Sequence, residues 1–273
     1  MKIALTNLEA LSHDREYGIK LVNDQDTLDR LVETLKTHTD PQVRQSSARI
    51  IGSSLLNNPE SQSIVSGSGF LTRLLECLQT ETDNAVKASL VFALNAAVAT
   101  EHDMRELMKA QGSQVLRQVY QSGESEVRGK CATFVEDKVL LYYRVIQDIE
   151  AEISSWCGDF QRSLISAPSP PETDLTQQKL LSSLMYTPPP QTTHTRGAAL
   201  MPSAMKKQAR DECHTEPEFL VWLADRVTAY PSEASELDGV EELVREARHL
   251  FGNPKAARKT AWEDKSERVK DEL

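Results

Sequence analysis

Four cysteines, Cys77, Cys131, Cys157 and Cys213, and six histidines, at 13, 38, 102, 194, 214 and 249, are the residues best suited to redox, nucleophilic or metal chemistry in this 273-residue chain. A thiol–disulfide catalyst uses two cysteines within reach of one attacking thiolate, and the sequence contains no Cys-x-x-Cys pair. A helical zinc site needs histidines four residues apart on one face, and none are so spaced. Gly-x-Ser-x-Gly and the phosphate-binding P-loop are missing as well. Gly67-Ser-Gly69 follows a predicted helix rather than a strand, so it lacks the setting of a nucleotide-binding turn. No catalytic residue, metal or cofactor is expected. Cys77 and Cys131 fall on core positions, and in an oxidising compartment a pairing of Cys157 with Cys213 is the most plausible disulfide.

The elements that position the remaining side chains follow from a repeat. Asp40-Pro-Gln-Val-Arg-Gln-Ser-Ser-Ala, Asp83-Asn-Ala-Val-Lys-Ala-Ser-Leu-Val and Ser125-Glu-Val-Arg-Gly-Lys-Cys-Ala share a valine, then a base, then small residues. Val43 and Val86 are 43 residues apart, and Val86 and Val127 are 41 apart. The preceding apolar pairs, Leu31 and Leu35, Leu74 and Leu78, Val115 and Val119, keep the same offsets. Between units, Asn58-Pro-Glu-Ser matches Thr100-Glu-His-Asp and, earlier, His13-Asp-Arg-Glu, so the chain opens inside a previous unit. A period near 40 built from helices is the armadillo or HEAT pattern, in which each unit buries its apolar face on its neighbours. With aromatics at only 5% and few glycines, the expected class is all-α: a superhelical solenoid with additional C-terminal helices.

The solenoid is expected over residues 1–143, as a partial unit to 23 and units at 24–66, 67–112 and 113–143. Asp40 and Asp83 are placed to cap the long helices, and Gly67, Gly69 and Gly112 stand where the chain reverses. Ile149, Ile153, Trp156, Phe160 and Leu164 define a helical stripe within 144–165, read as a cap on the solenoid's open end. Ala167-Pro-Ser-Pro-Pro171 and Thr187-Pro-Pro-Pro190 mark 166–196 as a linker with one short helix. Helices return over 197–254, and 255–273 is a charged tail.

A net charge of −10 leaves no clustered Lys and Arg for a phosphate backbone, so nucleic acid is not an expected partner. No apolar run approaches the length a bilayer requires, so no membrane insertion is expected either. The last four residues, Lys270-Asp271-Glu272-Leu273, spell the retrieval address of the endoplasmic reticulum, which a receptor reads in the lumen. A lumenal protein needs a signal peptide. Met1–Leu11 lacks one, and the expectation is a trimmed form without its signal and N-terminal segment.

A repeat array without reactive groups binds through the long final helix of each unit. There the candidate partner-binding residues are Gln45, Arg49, Ser53, Phe92, Asn95, Lys130, Thr133 and Asp137. Armadillo proteins of the importin type carry a Trp and, four residues on, an Asn at these positions, forming a ladder for extended peptides. The corresponding pairs here are Arg49 and Ser53, Phe92 and Ala96, Thr133 and Asp137. The ladder is absent. A surface of mixed charge, small residues and one aromatic suits a folded partner.

Val43-Arg-Gln-Ser-Ser-Ala-Arg-Ile-Ile-Gly52 with Asn57-Asn-Pro59, and Val86-Lys-Ala-Ser-Leu-Val-Phe-Ala-Leu-Asn95, resemble the armadillo-type nucleotide exchange factors of the 70-kDa heat-shock chaperones. The resemblance covers about half the chain. Taken with the C-terminal tetrapeptide, it is similar to the ER-lumenal branch, which acts on BiP. That resemblance implies a non-enzymatic, monomeric co-chaperone for folding and translocation in the endoplasmic reticulum. It would clasp the chaperone's nucleotide-binding domain and weaken ADP, a coupling of two binding equilibria. A generic armadillo scaffold is the alternative, and a lumenal thiol enzyme a third reading.

Overall fold

The computed structural model describes residues 2–142, 146, 149–166 and 217–229, and the chain divides into two compact units, Met1–Ile149 and Glu150–Leu273. In the first unit, helices come in threes. The chain enters on α1 (Lys2–Ser12). One triplet is α2 (Arg15–Asn23), α3 (Gln25–Thr37) and α4 (Pro41–Leu55). The next is α5 (Pro59–Val65), α6 (Phe70–Thr80) and α7 (Asn84–Ala97). The last is α8 (Glu101–Lys109), α9 (Gly112–Ser122) and α10 (Ser125–Phe134), which runs on into a π-helical turn at Val135–Val139. Among the described residues there is no β-strand.

Each start is written locally. Asp14, Asn58 and Thr100 occupy equivalent places before α2, α5 and α8, and the side chain of each accepts a backbone N–H of the first turn. Thr100 and Asp103 form a reciprocal capping box. Asp40 and Asp83 cap α4 and α7 as their positions require, each such cap being worth about 1 kcal/mol. The short entries to α6 and α9 need a left-handed residue. Gly67 and Gly69 supply φ of 69° and 76° at the first, as expected from sequence. At the second, Gly112 stands at the reversal as the first residue of α9, buried against Leu107, and the left-handed residue is its neighbour Gln111, with φ 60°.

Stacking of the triplets builds the core. α1, α4, α7 and α10 lie side by side, and α3, α6 and α9 form a second layer. The α4–α7 interface is the most extensive, and at Gly52 the missing side chain lets α4 approach Phe92 and Ala93 of α7 closely. Between the layers sit Leu31, Leu35, Ile50, Ile51, Leu74, Leu78, Leu90 and Leu94, all buried, each side chain contributing about 2 kcal/mol of burial. Ion pairs link neighbouring units at the second layer: Arg73 to Asp29 at 2.7 Å and Lys36 to Glu76 at 3.0 Å. Arg44 bridges to Glu81 with both Nε and Nη2, at 2.8 and 2.9 Å, and this pair is largely out of solvent.

In the second unit, α11 (Ile149–Ser166) buries Ile153, Trp156, Phe160 and Leu164, four of the five stripe positions. Trp156 donates from Nε1 to Glu152 and packs 5.6 Å from the Phe160 ring. α12 (Pro217–Ala229) buries Phe219, Trp222 and Leu223. The linker, the helix expected after residue 230, and the Lys270–Leu273 tetrapeptide lie outside the described residues.

Candidate partner-binding groove

A groove of about 310 Å³ crosses the stacked layer and is lined by Glu9, His13, Arg49, Ser53, Ala88, Ser89, Phe92, Glu126 and Lys130. Its residues come from α1, the turn after it, α4, α7 and α10, so four successive stacked helices each contribute. Of the eight residues expected from sequence, the structure brings Arg49, Ser53, Phe92 and Lys130 together here. Phe92 is half-buried at the seam between α4 and α7, and the Lys130 ammonium stands 5.7 Å from its ring centroid. Arg49 is exposed and reaches Glu9 at 3.6 Å, a contact weak enough for a partner to replace. Ser53 is nearly covered.

Asn95 and Asp137 do not line the groove but join each other, Asn95 Nδ2 donating to Asp137 Oδ2 at 2.9 Å. Gln45, half-buried, and Thr133, which donates to the Gly129 carbonyl, also lie outside it. Glu9, His13 and Glu126 were not among the expected residues. Extending the 43-residue register backwards from Gly52 lands on Glu9, so that signal was available. For His13 there is none, since it lies in the turn between α1 and α2 and reaches the groove only through packing.

Beside the groove the chain is pinned. Leu140 N–H donates to the Val135 carbonyl, the i+5 bond that makes the turn π-helical. This aims Lys138 at the Val98 carbonyl, 2.6 Å away, and Tyr142 at the Ala99 carbonyl, also 2.6 Å. Burial pushes the Lys138 ammonium below its usual range, against the pull of Asp137 and Asp103. From the other side, buried Asp103 accepts the Ala99 and Thr100 N–H groups and the Ser66 and Thr100 hydroxyls. The 98–100 connection therefore has its donors and acceptors fixed, and α7 ends in a set position.

Cys77 and Cys131 are not activated thiols. Burial raises the Cys77 thiol to about 11 and the Cys131 thiol further still, the opposite of an activated nucleophile. Both are free and buried. Cys157 is disulfide-bonded, and its expected partner Cys213 lies outside the described residues. Among the described residues, no group of three His, Cys, Asp or Glu is placed to hold a metal, and no helix is long and apolar enough to cross a membrane. What the arrangement offers is a shaped surface with one aromatic and both signs of charge.

Stacked helical triplets of this kind define an armadillo-repeat protein. A designed armadillo repeat protein solved in complex with the peptide (KR)4 superposes with a TM-score of 0.60 over 92% of each chain, at 16% identity. A computationally designed armadillo repeat protein for modular peptide recognition gives 0.58 over 92% of each chain, also at 16% identity. Residues 1–272 match the family model described as nucleotide exchange factor SIL1, and the chain belongs to that family. Relatives bearing that name include one from Candida albicans, 43% identical over 63 residues, which are 23% of this chain and 15% of the relative. Those from Debaryomyces hansenii and Kluyveromyces lactis are 24% and 23% identical over 95% and 98% of this chain. The chain spans 61% and 54% of those two proteins' lengths.

Proposed function

We propose that this chain is a non-catalytic nucleotide exchange factor of the ER lumen that clasps the nucleotide-binding domain of a BiP-type 70-kDa chaperone and promotes ADP release. The match to the exchange-factor family over residues 1–272 carries the reading. The groove on α1, α4, α7 and α10 supports it, because a mixed surface with a seated aromatic suits a folded lobe rather than an extended peptide. Gln45, Asn95, Thr133 and Asp137 would extend that surface beyond the groove. The mechanism is one of linkage. A protein that binds the open nucleotide cleft more tightly than the closed one weakens ADP by the same factor that ADP weakens it.

A lumenal location is supported by the Lys270–Leu273 tetrapeptide, for which a retrieval receptor is the second partner, and by the disulfide at Cys157, which suits an oxidising compartment. The deciding measurement is stopped-flow release of a fluorescent ADP analogue from BiP. Added protein should accelerate release, and an unchanged rate would leave a generic armadillo scaffold instead. Alkylation of exposed thiols should leave the acceleration intact; its loss would point to thiol chemistry.

A further inference from the structure

Gly52 lies in the last turn of α4, its carbonyl accepting the Leu56 N–H, and no positive φ calls for glycine there. The equivalent residues of the neighbouring units are Glu9, Asn95 and Glu136, so the repeat itself does not require a missing side chain. The reason stands across the seam. A Cβ built on Gly52 would fall under 3.0 Å from Cε1 and Cδ1 of Phe92 and 3.2 Å from Ala93 Cα. The Phe92 ring thus fills the volume a side chain at position 52 would take. Over the same ring stands the Lys130 ammonium, 5.7 Å from its centroid, which makes no ion pair among the described residues.

We propose that Gly52 is the positioning residue of the partner-binding face: its bare backbone seats the Phe92 ring across the α4–α7 seam, beneath Lys130, in the orientation that meets the partner. The inference rests on the reading of the groove as the chaperone-binding surface. It adds what fixes its central aromatic. A side chain with two rotatable bonds, set with one ring edge against backbone and a cation over the ring, loses little freedom on binding, and such preorganisation is where affinity is gained. Because the nearest obstacle to an added methyl is the far end of Phe92, Gly52→Ala should displace the ring more than the helices.

The test is a cycle on the full chain, with Gly52→Ala, Phe92→Ala and the double variant titrated against the intact 70-kDa chaperone by isothermal calorimetry. Each single substitution is expected to weaken binding about tenfold, as for a central aromatic anchor, and the double to bind like Phe92→Ala alone. A Gly52→Ala protein that binds like the unaltered chain, or a double that loses both effects, overturns the inference while leaving the chaperone reading in place. If Phe92→Ala itself binds normally, the groove is not the interface, and the inference falls while chaperone binding stands. A second readout needs no partner. The ring current of Phe92 should shift the Lys130 side-chain methylene resonances upfield, and Gly52→Ala should abolish that shift; its persistence would also refute the seat. Should Gly52→Ala alone fail to fold, the double variant is expected to restore the melting transition. Failure of both would assign Gly52 to the contact with Ala93 and sink the proposal.

Discussion

Glu81 shows how burial and pairing compete at a single residue. Burial pushes its carboxyl up, but hydrogen bonds from Arg44 and from the Asp83 and Thr82 N–H groups outweigh that and hold it below the usual carboxylate range. A depressed carboxyl stabilises the fold above the unfolded value of about 4.3, and the contribution is lost as pH falls through the folded value. Glu81→Gln should therefore cost about 2 kcal/mol at pH 7, and urea titrations of the two proteins should converge as pH drops toward 3. Parallel curves over the whole range would refute the pairing. The thiols make the complementary case. With Cys77 raised to about 11 by burial, opposed only by Lys36 and Arg73 nearby, less than about 1% is thiolate at pH 8. Intact-mass analysis after iodoacetamide should show Cys77 and Cys131 unmodified in the native protein and modified in urea.

The helical elements were legible wherever the signal was local. Caps at Asp40 and Asp83 and the stripe of α11 could be read directly, since a cap acts within three residues and a stripe within one helix. The left-handed residue at the entry to α9 was not, because glycine marks left-handed backbone only where glycine is used. Gln111 holds the conformation that Gly69 holds 42 residues earlier, at a strain of about 1 kcal/mol. Gln111→Gly should accordingly raise the melting temperature by a few degrees, and Gly69→Ala should lower it by a similar amount. Thermal denaturation followed by circular dichroism decides this. Opposite signs would mean that Gln111 gains more from its side chain than its backbone loses.

For the molecule as a whole, the stacked layer matters more than any single contact. Glu9, Arg49, Phe92 and Lys130 meet although some 40 residues separate each from the next, because each triplet returns its long helix to the same layer. If that face binds the chaperone, Phe92→Ala should slow stimulated ADP release about tenfold at subsaturating concentration while leaving the melting temperature within a few degrees. Arg49→Ala should have a smaller effect, since its partner Glu9 is 3.6 Å away and both are partly solvated. Equal rates for both variants and the unaltered chain would place the interface elsewhere.

The amino-acid sequence by itself determined the all-helical class, the period of 41 to 43 and the caps at Asp40 and Asp83, all of which depend on composition, on periodicity or on neighbours within a turn or two. It also placed the candidate face on the long helices, because periodicity carries one unit's geometry to the next. Only the tertiary structure decided that four of the eight candidates share a groove while Asn95 and Asp137 bond to each other. It alone brought Glu9, His13 and Glu126 to that groove and showed the ring of Phe92 filling the space over Gly52. These outcomes turn on a few ångströms of helix-to-helix approach, set by which side chains meet across the seam, and a repeat pattern does not encode that distance.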